Sequence, residues 1–111
     1  MDDQKKSAAV RALNDAFRTS LQGGFVVLTS GIMALGGEVQ VRLLAAVQAF
    51  DSFDDDNDPW REHDFGSFDI DGERIFFKLD YYDLTRAIHS EDPADPSKTE
   101  RVMAIMLASE Y

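Results

Sequence analysis

The stretch Phe68-Asp69-Ile70-Asp71-Gly72-Glu73-Arg74-Ile75-Phe76-Phe77-Lys78-Leu79-Asp80-Tyr81-Tyr82 decides the fold. Phe68 and Ile70 alternate with Ser67, Asp69 and Asp71, and Asp71-Gly72 then separates them from a second alternating run. Asp-Gly at such a place predicts a two-residue hairpin turn, because both central positions need positive φ. In the returning strand Ile75, Phe77, Leu79 and Tyr81 share one face; Arg74, Phe76, Lys78, Asp80 and Tyr82 share the other. A lone hairpin is marginal in water, so a third strand and a covering layer are expected.

Working outward, residues 51–65 lack periodicity and contain Asp58-Pro59, which predicts a loop. A loop of this length inside a compact domain points to function. Before it, Val39, Leu43, Val47 and Phe50 define one face of a helix over 38–50, opened by Gly36-Gly37. Phe25 to Thr29 is a short β-rich run between Gly24 and Gly31, expected to be a buried strand. Val10, Leu13, Phe17 and Leu21 recur at helical spacing over 4–21, with Gly23-Gly24 as the expected stop. Beyond the hairpin, Asp92-Pro93 and Asp95-Pro96 mark 83–97 as a second loop. Residues 99–111 fit a capped helix or a buried strand, and the hairpin's need for a partner favours the strand. The expected fold is α+β: one domain over 1–111, with two helices packed on a small, mainly antiparallel sheet containing a central β-hairpin. Phe17, Leu28, Val47, Ile75, Phe77 and Leu79 are the expected core.

The 111 residues include no cysteine, so a disulfide, a thiolate nucleophile and a cysteine zinc site are excluded. The longest apolar run, Val102 to Ala108, is far shorter than the roughly 20 residues of a membrane span. Residues 2–15 alternate charge with alanine and hold no signal-peptide core. A soluble, cytoplasmic protein is expected. The net charge is −10, and it is unevenly spread. Residues 1–50 carry four acids and five bases, whereas Asp51 to Glu73 alone carries ten acids and one base, Arg61. Such a surface repels nucleic acid, whose binding depends on Lys and Arg, and attracts cationic partners.

Phe50-Asp51-Ser52-Phe53, Asn57-Asp58-Pro59, Glu62-His63-Asp64-Phe65-Gly66 and the hairpin, with the tail Asp92-Pro93-Ala94-Asp95-Pro96, Arg101-Val102 and Ile105 to Tyr111, resemble one known family. It is a family of short bacterial proteins catalogued as a domain of unknown function, and the resemblance covers about residues 25–111. It implies small intracellular proteins, found on chromosomes and on mobile elements such as plasmids. It carries over no activity, ligand or catalytic residue.

Asp54-Asp55-Asp56-Asn57-Asp58 invites a calcium reading, with Asp54, Asp56, Asp58 and Glu62 at ligand positions of an EF-hand loop. Pro59 stands where that loop needs glycine and Phe65 where it needs a bidentate Glu, so the standard loop is excluded. Glu62-His63-Asp64 offers a general base with carboxylates, but neighbours in extended chain point to opposite sides. His89 stands in no ligand spacing with His63. Thr29-Ser30-Gly31 lacks a nucleophile elbow or a phosphate loop, and Gly36-Gly37 reads as a plain helix start. Trp60, an aromatic in a polar rim, is either an interface anchor or packed over the sheet edge. Phe76 and Tyr82 are either covered by the C-terminal segment or form an apolar patch.

The expected function is a non-enzymatic, acidic protein-binding module with no cofactor. Its partner is a basic protein surface, such as the nucleic-acid-binding channel of a bacterial defence complex of the CRISPR or restriction type, which the protein would enter as a nucleic-acid mimic. The expected partner-binding residues are Asp54, Asp55, Asp56, Asp58, Trp60, Glu62, Asp64, Asp69, Asp71 and Glu73. The alternatives are a small metal-assisted enzyme using Glu62, His63 and Asp64 with Asp58 or Tyr81, and a host regulatory subunit.

Overall fold

The computed structural model describes residues 2–111. Helix α1 (Asp3–Ser20) starts where the Asp2 carboxylate accepts the Lys5 N–H at 2.8 Å, satisfying an otherwise orphaned donor. It stops before the expected glycine pair. Leu21 itself takes the left-handed conformation (φ 60°), and its N–H bonds the Phe17 carbonyl. Gly24 is required for another reason: a Cβ there would lie 2.5 Å from the Arg101 carbonyl oxygen and 2.8 Å from the Phe17 ring.

Strand β1 (Phe25–Leu28) leads into a single helical turn, α2 (Ser30–Met33), which seats Ile32 in the core. Helix α3 (Gly37–Ala49) follows from Gly36 at φ 91°. Strands β2 (Phe65–Ile70) and β3 (Glu73–Tyr82) form the hairpin, with Phe68 opposite Ile75 and both turn residues at positive φ (Asp71 51°, Gly72 83°). The C-terminal segment is a strand, β4 (Glu100–Leu107), closed by a 3₁₀ turn (Ala108–Glu110). The sheet order is β1-β4-β3-β2, antiparallel except for the parallel β1–β4 pair. The last strand thus supplies the hairpin's third partner and occupies the sheet interior.

Helices α1 and α3 cover one face. Phe17, Leu43 and Val47 meet Ile75, Phe77, Leu79, Met103 and Ile105 there, and each fully buried side chain of this size contributes roughly 1.5–3 kcal/mol. The hairpin phase is as expected, with Ile75, Phe77, Leu79 and Tyr81 all inward. Strand β1 is not the buried strand expected. It lies at the sheet edge, with Val26 and Leu28 against the core and Phe25 and Val27 on the outer face, 44% and 47% exposed. Leu28 is accordingly half-buried. Helices on one face only leave the alternate residues of each strand uncovered.

Candidate functional site: the anchored acidic loop

The loop between α3 and β2 is held from beneath by α1. Asn14, fully buried, falls on the same helical face as Val10 and Phe17. Its amide NH₂ donates to the Tyr81 hydroxyl at 2.8 Å and to the Glu62 carbonyl at 2.9 Å. Its carbonyl accepts the Arg101 Nε–H at 2.9 Å. The Tyr81 hydroxyl donates in turn to the Glu62 carboxylate at 2.9 Å. Arg101 also donates to the Pro93 carbonyl, tying in the second loop. Burial pushes the Tyr81 phenol far up, so it remains a donor. Burial also lowers the Arg101 guanidinium from its usual value.

His63 forms the second anchor. Its Nδ1 lies 2.8 Å from Asp15 on α1, its Nε2 lies 3.7 Å from Asp58, and its ring stacks on Phe53 with centroids 3.9 Å apart. The Arg18 guanidinium also lies 5.2 Å from the Phe53 ring centroid and pairs with the same Asp15 oxygen at 3.2 Å. Arg61 and His63 both sit at positive φ (59° and 56°), a conformation uncommon for residues with a Cβ. These contacts hold His63, and Arg61 donates its N–H to the Asp58 carbonyl at 3.1 Å while its own carbonyl accepts the Arg11 guanidinium at 2.9 Å.

The expected site residues separate by role. Asp58 is 4% exposed, and its carboxylate accepts the Glu62 and His63 N–H groups at 3.0 and 3.1 Å. It is therefore an internal cap, not a surface contact. Glu62 is half-buried and committed to Tyr81. Asp64 is half-buried beside Glu62, and burial first, then the Glu62 charge, raises its carboxyl above the ordinary range. At the hairpin tip Asp69 pairs with Arg74 at 2.8 Å, and Asp71 is held by both Arg42 NH groups at 3.0 and 2.5 Å. That bidentate bond lowers the Asp71 carboxyl. All three tip acids are exposed, and Glu73 is the one of them without an ion pair among the described residues.

Asp54, Asp55, Asp56 and Trp60 face solvent, Trp60 with 74% of its surface exposed. Asp54 folds the loop while exposed: its Oδ1 accepts the Asp56 and Asn57 N–H groups, both at 2.9 Å. Asp55 makes one loose pair with Arg61 at 3.4 Å. An open cleft of about 300 Å³ lies between Arg11, Arg61, Phe53, His63 and the loop acids.

Glu62, His63 and Asp64 do not converge. Glu62 turns to Tyr81 and His63 to Asp15, and among the described residues no three His, Asp or Glu side chains form a metal-holding group. The histidine's partner was missed in the sequence, since Asp15 is 48 residues away. Asn14 left a signal: a polar residue on the apolar face of α1. Among the described residues no helix is long and apolar enough to cross a membrane.

No curated protein and no solved structure matches the chain. One family model does, that described as a protein of unknown function (DUF3768), over residues 28–110. The matched span includes the acidic loop, the hairpin and β4 and leaves out Asn14 and Asp15 of α1. The chain belongs to this family of proteins of unknown function.

Proposed function

We propose that the protein is a non-enzymatic binding module whose acidic loop engages a cationic protein surface. One observation carries this reading. The loop's inward residues, Asp58, Glu62 and His63, are consumed in anchoring it, and the outward ones include four aspartates (Asp51, Asp54, Asp55 and Asp56) and an exposed tryptophan, with Arg61 as the exposed base. A held loop presents its charges without a large ordering cost on association. Its aspartates steer encounter with a basic partner, and Trp60 supplies the aromatic area typical of an interface hot spot.

A lysine- and arginine-lined nucleic-acid channel is one such surface. Pairing of Asp69 and Asp71 with arginines limits the acid ladder at the hairpin, so the loop carries the mimicry in that version. The test compares the protein with its Asp55→Asn/Asp56→Asn/Trp60→Ala variant in capture from cell extracts, followed by association rates with the purified partner. The wild type should associate faster, with a rate that falls as salt rises; the variant should be slower and less salt-dependent. Equal rates for the two would remove the loop as the binding surface. Competition by duplex DNA for the same partner separates a nucleic-acid channel from any other basic surface.

A further inference from the structure

The outer face of the sheet is covered by no helix. It carries the exposed Phe25 and Val27 of β1, the half-buried Val102 and Ala104 of β4, Phe76 and Tyr82 of β3 and Phe65 of β2, and the buried Met106 of β4. Its ends are flanked by Arg86, 4.6 Å over the Phe25 ring, and Tyr111, whose ring centroid is 5.7 Å from that of Phe76. The charges on this face nearly balance, with Asp69, Asp80 and Glu100 against Arg74 and Lys78, and Asp83 offsets Arg86 at its border, on a chain of net charge −10. Two pairs are internally closed, Arg74–Asp69 at 2.8 Å and Lys78–Asp80 at 3.2 Å.

We infer that this face is the contact between two copies of the chain. A nearly neutral apolar face on a strongly anionic molecule is where a second anionic molecule meets least repulsion. Sheet-to-sheet packing also keeps the helices, and with them the α1-anchored acidic loop, on the far sides of both copies. Strands of 4, 6, 10 and 8 residues, at ~3.3 Å per residue and ~4.8 Å spacing, span roughly 440 Å² per copy, the size of a weak, concentration-dependent interface. A two-fold arrangement uses the patch twice and closes on itself.

Sedimentation velocity over a wide concentration range tests this. The full chain should shift from monomer to dimer with rising concentration, and Val27→Lys should raise the dissociation constant at least tenfold. Adding a lysine lowers the chain's overall repulsion, so a loss of dimer in Val27→Lys reports the face and not the net charge. Ala12→Lys, on the exposed side of α1, should leave the dimer intact. Circular dichroism of both variants establishes that they are folded. A wild type that stays monomeric at every concentration overturns the inference, as does a dimer that Val27→Lys leaves unchanged. Neither outcome bears on the acidic loop.

Discussion

The side-chain amide of Asn14 on α1 donates a 2.8 Å hydrogen bond to the hydroxyl of Tyr81 on β3, wholly inside the protein. Through these two residues the N-terminal helix, the acidic loop and the two central strands share one polar network. Removing either leaves buried groups unpaired, and that penalty exceeds the net worth of the bond itself.

Asn14→Ala is expected to lower unfolding stability by about 2–3 kcal/mol, since it leaves the Arg101 Nε–H without its acceptor and the Tyr81 oxygen and Glu62 carbonyl without their donor. Tyr81→Phe should cost less, ~1 kcal/mol. Denaturant unfolding of both single variants and the double variant should return a coupling of about 0.5–3 kcal/mol. Strict additivity would mean that the two side chains do not interact.

Asp58 and Asp55, three residues apart, should respond differently to substitution. Asp58→Ala leaves two loop N–H groups without an acceptor and should cost about 1–3 kcal/mol, with faster amide exchange at Glu62 and His63. Asp55→Asn, at an exposed position, should change stability by under ~0.5 kcal/mol. Equal effects in thermal unfolding would contradict the internal-cap role.

A methyl group at position 66 would meet the Phe77 ring at 2.2 Å and the Phe50 ring at 2.8 Å. Gly66→Ala should therefore destabilise by about 1–3 kcal/mol. Phe77→Ala, at the centre of the core, should cost about 3–5 kcal/mol. In the Phe77→Ala background the Gly66→Ala cost should shrink, because the obstructing ring is gone; urea unfolding of the four proteins reads the difference.

Asp64 gives the protein a pH dependence of defined sign. Burial and the Glu62 charge raise its folded-state pKa above the unfolded value. The native state thus holds this proton more tightly, and the stability it contributes is lost as pH rises through the folded value. Asp64→Asn is expected to raise the melting temperature near pH 7, with the gain fading below the ordinary aspartate range. A gain that persists undiminished at pH 3 would point to a cause other than ionisation.

The hairpin and both long helices were legible because their signals are local. Period-two alternation around Asp71-Gly72 set the strand phase, and helical spacing placed α1 and α3 within a residue or two. The hairpin register also implied Asp69 opposite Arg74, so that neutralised pair was readable in advance. The bond between Asp71 and Arg42 was not, because it joins α3 to the turn through tertiary packing. Asp58 was misplaced because a capping aspartate and a solvated one look alike in sequence. Strand β1 was misjudged because four apolar residues do not show which sheet position they take. Its edge location follows from parallel pairing with β4, a contact with no local signature.

That pairing also dictates when the protein can fold. The strand nearest the C-terminus lies between β1 and β3, and Arg101 closes on Asn14 across 87 residues. During synthesis β1 emerges with no strand to zip against, and the hairpin emerges with one flank unoccupied. The apolar sides of Phe17, Val26 and Leu28 stay open until Glu100–Leu107 has left the ribosome. Closure of the sheet is thus a single event that waits for β4, and until that strand is available the apolar sides of β1 and the hairpin are open to misassociation.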